Sequence, residues 1–412
     1  MDSGMDGGGP SGAAVRAVND WLTEQVLLDA DLELLFNGFC RRLVDAGLPL
    51  FRVNMSLTAL HPLFESMTFL WWRDGRRTTE HHQHGSRDQD TFRASPQNYM
   101  LRTQQMTLRR RLEGEGVVLD YPVLSDLAAQ GVTDYYVQLT GFGPIEDAAQ
   151  RMDGMVVSWT TDRPGGFTDG EIRTIRRMQS RLAVAAKLAK REMTARNVAA
   201  AYLGADAGRR VLDGQTARGS GETIHAVIWY SDLRGSTPMA DRLPMDTFLA
   251  ALNDYFECSA GAVRDHRGEV LRFVGDAVLA IFATRAFGST AAAARAALAA
   301  ARDAFARLDA VNARRAAAGD EVLAFGLGLH VGEVLFGNIG IPERLEFSVI
   351  GPAANEVARL EELTKDLARP VVVSRAFADL LDEDCEELGE RRFRGVAEPQ
   401  MVLAPALATT KP

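Results

Sequence analysis

Asp232 and Asp276 stand 44 residues apart, each inside an apolar stretch: Ile228-Trp229-Tyr230-Ser231-Asp232-Leu233 and Leu271-Arg272-Phe273-Val274-Gly275-Asp276-Ala277-Val278. A carboxylate at the end of an apolar strand, or at the bend between two, is costly to bury without a counter-charge. Two such groups brought together repel unless a cation lies between them. Paired hard oxygen ligands suit Mg²⁺ or Mn²⁺, ions that accompany phosphate substrates. The first segment continues as Arg234-Gly235-Ser236-Thr237. Gly235 permits a close turn, and the free N–H groups of Ser236 and Thr237 at a helix start attract phosphate. One segment therefore offers a metal carboxylate and a phosphate cradle together. Alone, Asp232 would read as a helix cap. The Gly275-Asp276 bend between two strands shifts the balance toward a metal pair.

A second constellation follows at Asn355 and Arg359. They are four apart on a helix that Pro352 is well placed to open, so they share one face. An amide beside a guanidinium fork suits a ribose, or a polyphosphate whose charge shifts during reaction.

These residues need a scaffold, and the pattern supplies one at residues 223–404. Strand-like 225–231 precedes a helix over 245–266, and two strands flank Gly275-Asp276. An Ala-rich helix over 290–318 stops at Gly319. Strands are expected at 323–332, 335–339, 345–350 and 370–373, with the Pro352 helix reaching about residue 365. Upstream, residues 14–174 form a second domain. A helix over 15–46 leads to alternating strands at 51–57 and 67–72. Residues 117–124 and 153–161 are also strand-like. Thr168-Asp169-Gly170-Glu171 opens a helix with acidic residues in its first turn. The fold class is α+β, with an antiparallel sheet in this domain. Residues 175–222 read as a helical linker. In it Ile175, Met178, Leu182, Ala185 and Ala189 follow coiled-coil spacing, or the face of an amphipathic helix packed on its own domain. Residues 1–13 read as a disordered tip and 405–412 as a tail.

The whole chain narrows the classes. It has 412 residues, 46% hydrophobic and 25% charged, enough for two domains. A net charge of −9 gives no basic field for nucleic acid. Cys40, Cys258 and Cys385 are odd in number and scattered, which fits a reducing compartment. No apolar run reaches membrane-span length, and the first residues lack a signal-peptide pattern, so the reading is cytoplasmic. The run His81-His82-Gln83-His84 reads as a solvated loop and Arg109-Arg110-Arg111 as a solvated helix face.

Residues 223–404, with Asp232, Gly275-Asp276, Ser348 and Asn355/Arg359 in order, resemble the class III nucleotidyl cyclase catalytic domain. The resemblance implies a βαββαβ palm-type, ferredoxin-like fold working as a head-to-tail homodimer with interfacial sites. It implies two Mg²⁺ or Mn²⁺ ions per site on Asp232, Asp276 and the backbone carbonyl of Leu233. It implies that Asn355 orients the ribose and Arg359 stabilises the transition state, both acting on the nucleotide held by the partner chain. Arg394, in Phe393-Arg394-Gly395, matches a position that reaches the terminal phosphates, and Arg234 lies within the phosphate turn. The base positions fall at Arg272 and Ser348. Adenylyl cyclases place Lys at the first, and Asp, Thr or Ser at the second; guanylyl cyclases favour Glu and Cys. Arg272 can only donate; adenine N1 accepts, and its N6 donates to Ser348. ATP is the expected substrate and cyclic AMP the product. A guanylate cyclase, or a weakly active or non-catalytic nucleotide-binding module, is the alternative. No Gly-Gly-Asp/Glu-Glu-Phe segment occurs, which disfavours a diguanylate cyclase.

Trp71-Trp72 and the stretch from Ser158 to Asp169, with Gly165-Gly166-Phe167-Thr168, make residues 14–174 similar to a GAF-type sensory domain. Domains of that kind bind small molecules or only dimerise, so this one is a candidate to hold a small-molecule ligand.

Overall fold

The computed structural model describes residues 10–28, 31–86, 89–143, 153–393 and 398–407. The chain divides into two compact units, Met1–Val198 and Ala199–Pro412.

In the first unit the expected single N-terminal helix is two, α1 (Gly12–Leu27) and α2 (Leu32–Asp45). Asp31 starts the second by accepting the Glu33 and Leu34 amides at 2.8 and 3.3 Å. The sheet comprises β1 (Arg52–Thr58), β2 (Phe64–Trp72), β3 (Arg77–Gln83), β4 (Thr107–Arg111), β5 (Asp134–Gly141) and β6 (Gly154–Thr161). It is antiparallel, in the order β3-β2-β1-β6-β5-β4. Alternation along β1 sends Val53, Met55 and Leu57 into a core shared with α1, α2 and the long helix α6 (Asp169–Leu203). Ile175, Met178, Leu182 and Ala185, which read as a coiled-coil seam, are buried in that core, so the alternative of a helix packed on its own domain describes them.

The other face of the sheet is mixed: Leu108, Tyr135 and Val137 belong to a small apolar cluster, and beside it Asn54, Ser56, Thr68 and His82 line a cavity of about 820 Å³. The short helices α3 (Asp90–Arg93) and α4 (Pro96–Thr103) supply Phe92 and Met100 to its wall. Ser56 Oγ, Thr68 Oγ1 and His82 Nε2 form a chain of contacts at 2.9 and 3.0 Å.

Three local expectations change. His81 and His82 lie on β3, not in a loop. Arg109–Arg111 form strand β4, where Arg109 Nη2 donates to buried Asp134 at 2.7 Å. In the strand-like stretch at 117–124, Pro122 opens helix α5 (Pro122–Ala129), because proline needs no N–H partner in a first turn.

The second unit begins with α7 (Ala205–Leu212) and the 13-residue strand β7 (Gly221–Leu233). Then come α8 (Ser236–Arg242), α9 (Met245–Asp265), β8 (Glu269–Val274), β9 (Ala277–Ala283), α10 (Thr284–Phe287), α11 (Thr290–Ala318), β10 (Phe325–Ile341), β11 (Arg344–Ile350) and α12 (Pro352–Asp366). β12 (Val371–Ser374), α13 (Arg375–Ala378), β13 (Cys385–Arg391) and β14 (Gln400–Pro405) complete it. The run β7-α9-β8-β9-α11-β10 is the expected βαββαβ core. Sheet order is β13-β14-β12-β10-β7-β9-β8, with β11 paired to β10. The two strands expected at 323–332 and 335–339 are one, because the ladder to β7 runs unbroken from Phe325 to Gly337 and β11 joins the other edge of β10 from Leu335.

Period-two alternation divides the core around β7. Val227 and Trp229 pack with α9 and α11 on one face. Ile224, Ala226 and Ile228 pack with Phe347, Val349 and Val357 on the other. Trp229 is fully buried, so truncating it to Ala would cost about 3–5 kcal/mol.

Candidate active site

Asp232 is the penultimate residue of β7 and lies opposite Ala277 on β9. The β8–β9 bend, with Gly275 at φ 63°, places Asp276 beside it, and the Leu233 amide donates to the Asp276 carbonyl at 3.4 Å. The two metal candidates are thus neighbours. Their electrostatics say the same: burial first, then the Asp276 carboxylate, push Asp232 above the ordinary carboxylate range, while Lys365 works against that shift. Lys365 Nζ stands 3.6 Å from Asp232 Oδ2, a distance at which an ammonium partly neutralises the pair. Two adjacent carboxylates and a strand-end carbonyl make a hard-oxygen set, which fits divalent ions.

Sequence position alone fixes which way Asp232 faces. Ser231 points under the sheet, where its Oγ meets Tyr255 Oη at 2.8 Å and Ser259 Oγ at 2.7 Å. Asp232 therefore faces α12. That helix lies directly on β10 because Gly326 and Gly328 have no side chains. A Cβ at Gly328 would sit 2.8 Å from the Glu361 nitrogen, and one at Gly326 2.8 Å from Arg234 Nη2.

The last turns of α12 close over the end of β7. Glu361 and Thr364 are buried, and Arg234 donates to Thr364 Oγ1. Burial, then the charge of Asp232, raises the Glu361 carboxyl to about 7. Glu361, Thr364 and Lys365 were absent from the sequence reading. Their signal was present: charged and polar side chains on the helix face opposite Asn355 and Arg359, where an apolar face was due.

Asn355 is exposed and Arg359 half-buried, and neither has a hydrogen bond or ion pair among the described residues. Arg359 precedes Lys365 by six residues, about 9 Å along the axis and about 120° around it. The pair therefore points away from Asp232 and Asp276 of its own chain. Gly235 adopts a left-handed φ of 67° and starts α8 at Ser236, so the turn expected at Gly235, Ser236 and Thr237 is there. Arg272 and Ser348 lie on β8 and β11, and Arg272 Nη1 donates to Glu346 Oε1 at 3.1 Å. Arg394 falls outside the described residues.

No helix among the described residues is long and apolar enough to cross a membrane. The family model described as "Adenylate and Guanylate cyclase catalytic domain" matches residues 221–403. An adenylate cyclase from Anabaena cylindrica is 30% identical over 162 residues, covering 38% of this chain and 31% of that protein. An uncharacterised protein of Mycobacterium tuberculosis H37Rv is 35% identical over 189 residues, covering 45% of this chain and 32% of its own length. The chain thus spans about a third of the curated relatives it matches. Among solved structures, the guanylyl cyclase Cya2 aligns at 28% identity and TM-score 0.40, over 44% of this chain and 92% of that one. The adenylyl cyclase CyaB from P. aeruginosa aligns at 21% identity and TM-score 0.40, over 45% and 97%. The family match falls on the unit whose strand ends bring Asp232 and Asp276 together, and residues 221–403 are a class III adenylyl/guanylyl cyclase catalytic domain.

Proposed function

We propose that the protein is an adenylate cyclase, converting ATP to 3′,5′-cyclic AMP and pyrophosphate at sites shared by two copies of the chain. The observation that carries this is the half-buried like-charge pair Asp232/Asp276, brought together at the end of β7 and the β8–β9 bend within a cyclase domain. Two divalent ions, Mg²⁺ or Mn²⁺, would be held by Asp232, Asp276 and the Leu233 carbonyl. When bound they supply charge neutralisation for the triphosphate.

The reaction forms a bond from the ribose 3′-oxygen to the α-phosphorus and breaks the bond to the pyrophosphate oxygen. The 3′-hydroxyl proton passes to solvent water, and the departing pyrophosphate keeps the electron pair of the broken bond. Little covalent work falls to the protein beyond positioning and charge stabilisation. Asn355 orients the ribose, and Arg359 donates to the charge that develops at the α-phosphate. Both lack a hydrogen bond or ion pair among the described residues and are directed away from their own aspartates, which supports a site completed by a second copy. The amides of Ser236 and Thr237 face the phosphates, with Arg234 anchoring the turn from behind.

Adenine suits the base position because Arg272 donates where N1 accepts, and Ser348 Oγ is buried without a partner among the described residues. The first unit, with its polar cavity, is proposed as a GAF-like input domain for a small molecule.

The test is turnover of purified full chain with ATP or GTP and Mn²⁺, alongside Asp232→Ala and Asp276→Ala. Cyclic AMP from ATP, falling by about 10³-fold or more in either variant, is expected. Undiminished output would refute the metal assignment, and faster cyclic GMP formation would overturn the base.

A further inference from the structure

β8 carries an irregularity that changes where Arg272 points. Its register with β9 runs Val270 opposite Ala280, then Arg272 opposite Leu279, so Leu271 is an extra residue. A bulge of this kind re-aims the side chains that follow it. Cross-strand partners share a face, and Leu279 belongs to the cluster containing Phe347 and Val349 of β11. With regular pairing Arg272 would oppose Val278 and face the α9 side instead.

The re-aimed arginine meets Glu346, Nη1 to Oε1 at 3.1 Å. Glu346 is two residues before Ser348, on the same face of β11. Two atoms here lack partners among the described residues although buried: Arg272 Nε and Ser348 Oγ. Leaving such groups unpaired costs free energy that a bound hydrogen-bonding ligand would recover.

We propose that Glu346 is a positioning residue for base selection: it pins the Arg272 guanidinium so that a fixed N–H meets the adenine N1 position. This rests on the cyclase reading and deepens it. A long, flexible arginine left free would reach guanine O6 as readily as adenine N1. Held in place, it opposes a proton at guanine N1, a donor-to-donor clash that leaves both groups unpaired. Discrimination thus comes from the tether rather than from the arginine alone. The carboxylate side chain is 54% exposed and the arginine 39%, so the pair adds little to fold stability. Its removal is therefore readable in kinetics without a folding defect.

The experiment is a double-mutant cycle in the full chain: Glu346→Ala, Glu346→Gln, Arg272→Ala and the double Ala variant, with kcat and KM for ATP and GTP. Glu346→Ala is expected to lower the ATP-to-GTP ratio of kcat/KM by about tenfold, the size of one mispositioned hydrogen bond. The change should appear in KM for ATP, with kcat nearly constant. Glu346→Gln, which keeps an acceptor oxygen, should restore most of the ratio. In the Arg272→Ala background, Glu346→Ala should change the ratio by less than about twofold. An unchanged ratio in Glu346→Ala, or an equal drop with Arg272 absent, overturns the proposal. Equilibrium dialysis with ATP and GTP reads the same ratio without turnover. A binding ratio that shifts as expected in Glu346→Ala, with no cyclic nucleotide formed by the wild-type chain, would sink the cyclase reading and leave the tether standing.

Discussion

The placement of Arg359 allows the shared-site proposal to be tested quantitatively. Lys365 marks the level of α12 at which the helix meets the Asp232 carboxylate. Arg359 lies about 9 Å back along the axis and about 120° away, beyond what one side chain can span toward the same carboxylate. Asn355 lies about 15 Å back. If these two serve a nucleotide at all, it is one held by another copy, and each chain carries two half-sites. Asp276→Ala should then destroy one kind of half-site and Arg359→Ala the other, the latter costing about 10²–10³-fold in turnover as lost charge stabilisation does. Co-expressing the two variants in equal amounts with different affinity tags gives, by random pairing in a two-fold dimer, about half heterodimers. Each heterodimer has one site with both lesions and one with none. Turnover should recover to about a quarter of wild type per dimer across the mixture, and to about half in the doubly tagged fraction. The control mixes Asp232→Ala with Asp276→Ala, whose lesions fall in the same half-site and cannot complement. Recovery no greater than the mean of the two parents would refute the split, as would equal recovery in the control.

Two further outcomes follow from the cavity and from a buried acid. Ser56→Phe should fill part of the cavity in the first unit and, if that cavity receives an effector, alter cyclic nucleotide output of the full chain; an unaltered rate with an intact melting profile would remove the input role. Glu269, which accepts the Ala207 and Asp206 amides of α7, is raised from 4.5 to about 7, first by burial and then by Asp206. A raised folded-state value gives stability that is complete below 4.5 and is lost as pH climbs through about 7, some 3 kcal/mol in full. Glu269→Gln should therefore raise the melting temperature at pH 8 and leave it nearly unchanged at pH 4.5; a pH-independent effect would show that the carboxylate does not titrate there.

The pairing of Asp232 and Asp276 was legible because a charged residue at the end of an apolar run is a local signal. The strands around them and the Pro352 helix were legible for the same reason: periodicity, glycine stops and proline starts act within a few residues. What stayed hidden depends on partners distant in sequence. Nothing local says that β10 would run past Gly332, since its continuity comes from pairing with β7 as far as Gly337 and with β11 from Leu335. The α6 spacing was compatible with a second helix or with a sheet, and only the apolar inner face of β1 and β6 decides between them. Arg109–Arg111 looked like a helix surface because the buried acid that claims Arg109 is 25 residues away. The β8 bulge was hidden most completely, since a one-residue offset leaves composition untouched while moving Arg272 to the opposite face.

That offset and the glycines of β10 bear on one point, which is how a single helix can serve two sites. Gly326 and Gly328 let α12 touch β10, and Arg234, Thr364 and Glu361 then fasten its last turns to the loop that follows Asp232. The first turns are held differently, by Ala353 and Val357 buried in the core, while Asn355 and Arg359 on their outer side have no hydrogen bond or ion pair among the described residues. An α-helix of 15 residues is stiff, so displacement at its C-terminal end is carried to its N-terminal end with little loss. In the proposed dimer the outer side of that N-terminal end enters the other copy's site. Ordering the Asp232 loop around substrate in one site would therefore shift the transition-state arginine of the other, and the two turnovers would not be independent. The Arg234–Thr364 contact is where such coupling would be broken: weakening it should loosen Arg359 across the interface while leaving the two carboxylates of its own chain side by side.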